Sequence, residues 1–307
     1  MPPSSSSKSA SLGSIRSLYS TMVTVRVGAA KQAFCIHKDV LCFNSKYFTK
    51  ALSGQFLEAR THIVELEDVH VMLFKIFVAW LYTGKLNYES SDLNIPAKND
   101  FEQLHTILTD EHPYEQEDDE EDRDDGMPID EFFLFDFDQE DPETWTYLIL
   151  CALFVLADRL DVPKLKTLAL DTIIGRRRNK VPIPTASAVL YTYAHTTRNS
   201  KLRRLLVHII AYGVEFKRSS HVWNHWPLEF LTAVMVTNGR RLPAKQCESC
   251  FDNALQDNLI SDRVIDDVDG TEDKPPFRRD ICFYHEHKDE EEKEACRAER
   301  EKQSGSG

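Results

Sequence analysis

Six cysteine and histidine residues near the C-terminus are the part of this chain best suited to chemistry. They are a C-x-x-C pair, Cys247 and Cys250, followed by Cys282, His285, His287 and Cys296. Zinc prefers four sulfur or nitrogen ligands in a tetrahedron, and two ligands that are two residues apart suit a tight turn around the ion. The best set of four on this spacing is Cys247, Cys250, Cys282 and His285. A zinc ion there would be structural, because no acid or base is arranged for hydrolysis.

A second interpretation of the same residues is a group of unrelated thiols beside a charged terminal helix over residues 288–302. The two halves of the cluster are separated by a long segment that includes the polar, loop-like stretch Asp266 to Pro276. Both interpretations stay open on spacing alone. The sequence therefore assigns no metal ligand and no cofactor.

Residue patterns of catalysis are missing from the sequence. It holds no glycine-rich phosphate loop, no G-x-S-x-G and no H-E-x-x-H. His37 follows a predicted strand without a catalytic partner, which favours a structural role. The basic run from Arg176 to Lys180 fits a nuclear import signal, but cations that offset a helix dipole at its C-terminus are the simpler interpretation. The chain is predicted not to be an enzyme and to have no small-molecule substrate.

Charge is distributed very unevenly along the 307 residues. Residues 110–143 hold 18 acidic residues and one basic residue, a net charge of −17, while the whole chain carries −13. The rest of the chain therefore sums to only +4, which argues against a basic face for nucleic acid. No apolar run of about 18 residues predicts a membrane span.

Cysteine usage and the N-terminus indicate the compartment. The chain has seven cysteines, an odd number, and Cys35, Cys42 and Cys151 lie inside apolar patterns, as reduced and buried thiols do. The serine-rich N-terminus lacks the apolar core of a secretion signal. We expect an intracellular protein, cytoplasmic or nuclear.

The elements that precede the cysteines are most regular between residues 21 and 86. Val23, Val25 and Val27 alternate with polar residues, which predicts a half-buried strand, and a turn at residues 28–31 leads into a second strand at 33–36. Apolar spacing predicts helices after this hairpin. Ser45 is expected to cap a short helix and Asp68 a helix that begins at Val69. Gly84 supplies the left-handed stop of that helix.

Beyond residue 86 the periodicity fades and then returns. Residues 88–141 are predicted to be a solvated loop, of which residues 88–128 are mobile and dispensable for folding. Phenylalanines among carboxylates at residues 131–138 could form a docking peptide, although packing back on their own domain is the simpler interpretation. Helices are predicted at residues 144–160, 162–174, 186–196 (capped by Thr185) and 201–212, and around residues 226–234.

Taken in order, several of these residues resemble the BTB/POZ domain, a small α/β interaction module. They are His37-Lys38, Val40-Leu41, Ser45, Tyr47-Phe48, Phe56, Glu58, Phe74, Trp80-Leu81 and Tyr82-Thr83-Gly84. Residues 156–165 are similar to the helix pair that closes this fold. The resemblance thus covers residues 21–174, interrupted by the acidic insertion at about 88–141.

The expected architecture is α+β: a BTB/POZ fold, with a small sheet and a cluster of helices, followed by an α-helical extension. Residues 1–20 are predicted to be a disordered tail, 175–265 a helical region and 266–307 a charged tail with the Cys/His cluster. The resemblance implies a non-catalytic scaffold or adaptor that binds protein partners, by self-association or by docking on a cullin scaffold. The alternatives are a substrate adaptor of a cullin-type ubiquitin ligase and a zinc-dependent nucleic-acid-binding regulator.

Overall fold

The computed structural model describes residues 21–90, 97–110, 137–178, 183–213, 226–241, 275–280 and 282–304. Its contacts divide the chain into two compact units. The first unit comprises residues 1–88 and 156–164, and the second comprises residues 89–155 and 165–307. Within the described ranges, no helix combines the length and the apolar character needed to cross a membrane.

A three-stranded sheet of order β2-β1-β3 forms the centre of the first unit. Strands β1 (Met22–Val27) and β2 (Gln32–His37) are an antiparallel hairpin, and β3 (Ile63–Leu66) pairs with β1 in parallel. Val23, Val25 and Val27 are fully buried, which confirms the alternation expected of β1. Gly28 turns the chain out of β1 with a positive φ of 73°, a conformation that costs glycine little.

Four helices cover this sheet: α1 (Lys38–Asn44), α2 (Lys46–Ala51), α3 (Leu57–Thr61) and α4 (Val71–Thr83). The core between them is aromatic, because the rings of Phe48 and Trp80 each lie within 6.4 Å of the ring of Phe77. Gly84 ends α4 in the left-handed conformation with a φ of 72°, as expected for a glycine stop.

Polar contacts at the helix ends of the first unit confirm one predicted cap and correct another. The Ser45 hydroxyl accepts the backbone N–H of Phe48 at 3.1 Å and donates to the carbonyl of Leu160 at 2.6 Å. Asp68, in contrast, does not cap a helix. Helix α4 begins at Val71 with His70 as its cap, and the Asp68 carboxylate instead pairs with Arg159 at 2.6 Å.

Helices, and no strands, make up the regular structure of the described residues of the second unit. These α-helices are α5 (Ala97–Asp110), α6 (Tyr147–Arg159), α7 (Pro163–Arg178), α8 (Ala186–His195), α9 (Lys201–Gly213), α10 (Leu228–Arg241), the short α11 (Pro276–Arg279) and α12 (Glu290–Ser304). Residues 156–164, at the junction of α6 and α7, group with the first unit. The Thr185 hydroxyl caps α8 by accepting the N–H of Ala188 at 3.3 Å, as predicted.

Part of the predicted solvated loop is a packed helix. Residues 97–110 form α5, and Phe101 is fully buried, with its ring 4.5 Å from that of Phe137 and 5.0 Å from that of Trp145. The prediction of a mobile loop is wrong for this stretch, because apolar residues on one face of α5 bury together. Phe137 packs back on its own unit, as the simpler interpretation expected. The acidic residues 111–136 lie outside the described residues.

Candidate functional site

Large apolar side chains exposed on the first unit are its most notable surface feature. Phe43 on α1 is 81% exposed, and Phe56 and Leu57 at the start of α3 are 61% and 68% exposed. Tyr82, near the end of α4, is 50% exposed. Helix α1 buries Leu41 and α2 buries Phe48, so these helices are held by other residues. Exposed aromatic side chains that the core does not need are typical anchors of protein interfaces.

Charged residues lie near the Tyr47 hydroxyl on α2. Burial raises the pKa of the Tyr47 hydroxyl; the nearby cation of Arg159 opposes this shift, while Glu58 and Asp68 add to it. The Arg159 guanidinium also lowers the pKa of Asp68 through their hydrogen bond. An exposed ion pair thus joins Asp68 to the end of α6 within the first unit, and such pairs contribute little to stability.

His37 has the structural role that its sequence context predicts. Its backbone N–H donates to the Tyr82 hydroxyl at 3.2 Å, and its Nδ1 lies 2.9 Å from the same oxygen. These contacts join the end of β2 to α4.

Arg176, the first residue of the basic run, is buried rather than displayed to solvent. Its guanidinium donates to the carbonyls of Glu143, at 3.0 Å, and Trp145, and lies 4.9 Å from the ring centre of Tyr147. Burial lowers the pKa of this side chain. Arg176 therefore stabilises the second unit and is not accessible to an import receptor; Asn179 and Lys180 lie outside the described residues.

Four of the six candidate zinc ligands converge in the second unit. One side-chain sulfur or nitrogen atom from each of Cys282, His285, His287 and Cys296 lies within 4.8 Å of the others. Cys282 and both histidines follow α11, and Cys296 projects from α12. Cys247 and Cys250, which the spacing placed in the best set, lie outside the described residues. The best set by spacing thus shares Cys282 and His285 with this group and leaves out His287 and Cys296, which lie beside them in the fold.

Neighbouring polar groups orient the imidazole of His285. Its side chain is fully buried, and its Nε2 lies 3.0 Å from a carboxylate oxygen of Asp171 on α7. The other oxygen of Asp171 accepts a hydrogen bond from Arg300 on α12. Burial lowers the pKa of His285. Sequence reasoning did not find Asp171 or Arg300, because neither lies in a metal-binding motif.

Together, the three-stranded sheet with its covering helices and its exposed aromatic side chains defines an α+β protein-interaction domain. A family model, that of the BTB/POZ domain, matches residues 17–106, which confirms the resemblance. Residues 17–106 are therefore a BTB/POZ domain, and an α-helical extension follows them. No curated protein matches it. The BTB/POZ domain is a protein–protein interaction module, and such modules are typically not enzymes.

Proposed function

We propose that this chain is a non-catalytic scaffold or adaptor that acts in the cytoplasm or nucleus and binds protein partners through its BTB/POZ domain. The observation that carries the proposal is the exposure of Phe43, Phe56 and Leu57, which all lie within the matched residues 17–106. Burying one such side chain in an interface contributes about 1.5–3 kcal/mol. A partner that buries these side chains would therefore bind more tightly.

The test is to replace Phe56 and Leu57 together by alanine in the full chain. Both side chains are mostly exposed, so the change should affect folding little. Affinity purification with mass spectrometry should show that the double variant loses partners that the wild type retains. Met235, which is 73% exposed on α10 of the second unit, provides the matched control as Met235→Ala. Equal partner sets for all three proteins would contradict the proposed docking surface.

A cullin-type ubiquitin ligase is the more specific candidate partner, since the family resemblance implies such docking. We favour a general binding role, because no substrate-reading domain was identified in the sequence and because an acidic insertion interrupts the resemblance. A stretch with 18 acidic residues should favour basic partners, repel acidic ones and make binding sensitive to salt.

A pull-down with a cullin N-terminal domain distinguishes these roles. It compares the intact chain with a variant that lacks residues 111–128, so that α5, which ends at Asp110, is preserved. Binding by both proteins would establish the ligase-adaptor role over a general one. Binding by the deletion variant alone would identify the insertion as a gate. If neither folded protein binds, light scattering of the intact chain tests self-association.

A further inference from the structure

We propose that Cys282, His285, His287 and Cys296 bind one structural zinc ion. Their potential ligand atoms all lie within 4.8 Å of one another. The Cys296 sulfur is 3.4 Å from Nδ1 of His285. Zinc–sulfur and zinc–nitrogen bonds of about 2.3 and 2.0 Å in a tetrahedron place the two ligand atoms about 3.5 Å apart. The observed separation therefore fits two ligands of one ion.

Asp171 supports this assignment because it orients His285. Its carboxylate accepts a hydrogen bond from the Nε2–H of the imidazole at 3.0 Å. In this tautomer the Nδ1 atom, which faces Cys296, carries the lone pair. Histidines that bind a metal nearly always donate their other N–H to a carboxylate, a carbonyl or water. Here the donor nitrogen, the acceptor carboxylate and the ligand nitrogen have the arrangement that a metal site requires.

His287 provides a second, independent observation. Its Nε2 is buried and has no hydrogen-bond partner among the described residues. A buried polar atom of this kind needs an explanation, and an ion that is not yet accounted for is one of the accepted explanations. Its ring centre lies 5.7 Å from that of His285, and a shared metal would use the lone pairs of both imidazoles.

The donor set favours zinc over a disulfide and over other ions. Two sulfur and two imidazole ligands in a tetrahedral arrangement suit zinc, whereas magnesium and calcium prefer oxygen ligands. A disulfide between Cys282 and Cys296 would use the two sulfurs but would leave the buried His287 nitrogen unexplained. Because all four positions are protein ligands, the site has no open position for a substrate and is structural.

The proposed ion would hold α12 against the loop after α11, and the contact between His285 and Asp171 would join this segment, residues 276–304, to α7. Around the cluster, Lys166 on α7 pairs with Glu286 at 3.1 Å, and Arg297 on α12 pairs with Asp280 at 2.9 Å. These pairs are partly exposed and individually weak. Among its described residues before α12, the segment has one short helix, α11. A metal that crosslinks α12 to the loop after α11 would add order that these ion pairs alone do not supply.

The first experiment measures metal in the full chain, purified under reducing conditions and loaded with zinc. We expect about one zinc ion per chain, with each ion bound by deprotonated ligands of the folded protein. Cobalt in place of zinc should give the visible absorption of a tetrahedral site with thiolate ligands. Chelation should increase hydrogen exchange in residues 276–304 and leave residues 21–66 unchanged.

Variants show which residues hold the ion. Cys296→Ser should lose the zinc, whereas Cys35→Ser, which alters an exposed free cysteine of the first unit, should retain it. The Cys247→Ser/Cys250→Ser double variant should also retain it, because the proposed four ligands complete the tetrahedron without that pair. Asp171→Asn should weaken zinc binding about 10–100-fold in competition with a chelator, a measurement that remains possible if a ligand variant fails to fold.

Three results would overturn the proposal. One is a folded wild-type chain that carries no metal after zinc loading. Another is a mass that is lower by two hydrogen atoms and reports a Cys282–Cys296 disulfide in the protein as isolated from the cell. The third is zinc that disappears with the Cys247→Ser/Cys250→Ser change but persists in Cys296→Ser, since the ion would then belong to a different set of ligands.

Discussion

The Ser45 hydroxyl donates a hydrogen bond to the carbonyl of Leu160, 115 positions later in the chain. Ser45→Ala therefore tests directly how residues 156–164 are held in the first unit. The substitution removes the N-cap bond to the Phe48 N–H and the bond to the buried Leu160 carbonyl. Loss of an N-cap hydroxyl costs about 0.5–2 kcal/mol, and a buried polar group left without its partner costs about 1–3 kcal/mol. We expect a total loss of about 2–4 kcal/mol, a large fraction of the stability of a small unit.

The assay is hydrogen exchange by mass spectrometry in increasing urea, which reports the two units of the full chain separately. Peptides from α2 and from residues 156–164 should lose protection together in Ser45→Ala, because both depend on the same hydroxyl. Ser53→Ala is the matched control. The Ser53 hydroxyl donates to the nearby Thr49 carbonyl of α2 at 2.5 Å in an exposed position, so its loss should cost less than about 0.5 kcal/mol.

The reasoning fails if the two variants have the same unfolding free energy. It also fails if Ser45→Ala destabilises α2 while residues 156–164 keep their protection. In that case the hydroxyl would act only as a cap, and the chain that follows the insertion would not depend on it to join the first unit.

The predictions from sequence that succeeded rest on interactions between near neighbours. The alternation of Val23, Val25 and Val27 follows from the two-residue period of a strand, and all three side chains are buried. The cap at Ser45 and the left-handed stop at Gly84 likewise depend on a few adjacent residues. The parallel pairing of β1 with β3 was not predicted, because it joins segments that no local pattern relates.

Asp68 shows how a distant partner overrides a local preference. Aspartate before an apolar helix is a common N-cap, so the expectation was reasonable. In the structure its carboxylate binds Arg159, which is 91 residues away, and His70 caps the helix through its Nδ1, 3.2 Å from the Met72 nitrogen. Helix α4 thus begins at Val71, two residues later than predicted, because the predicted cap binds a distant residue instead.

Helix α5 was missed although its signal is present. Phe101, Leu104 and Leu108 recur at three- and four-residue intervals and are all buried, which is the spacing of a helix with one apolar face. The surrounding residues are polar, and the acidic run that begins at Asp110 dominates the composition of the whole stretch. The acidic charge and the fading periodicity of residues 88–141 therefore predicted a loop, although the apolar spacing within 97–110 is that of a helix.

The Cys/His cluster could be predicted only in part. Their spacing of two residues pointed to Cys247 and Cys250, but the fold brings together four potential ligand residues from within residues 282–296. They form a C-x-x-H-x-H pattern followed by a cysteine on the next helix. This pattern is visible in the sequence. Asp171 is not, because the carboxylate that orients His285 lies 114 residues earlier in the chain.

Two further predictions concern the second unit. Phe101→Ala should destabilise it by about 3–5 kcal/mol, because it leaves a cavity beside Trp145. The control Ile107→Ala, on the exposed face of α5, should cost less than about 1 kcal/mol. Equal midpoints of urea unfolding for the two variants would mean that α5 is not packed. The last prediction concerns acid. Burial, helped by the cation of Arg204, lowers the pKa of His208 from 6.5 to about 4, so the folded chain binds this proton less readily than the unfolded chain. The stability contributed by neutral His208 is therefore complete above pH 6.5 and is lost as the pH falls towards 4. Allowing for its partial exposure, we expect a loss of about 1–2 kcal/mol. His208→Asn keeps a polar group near the hydroxyl that His208 contacts at 2.6 Å but does not titrate, so its melting temperature should fall less between pH 7 and pH 4.5. Identical acid dependence in the two proteins would show that other groups control the loss.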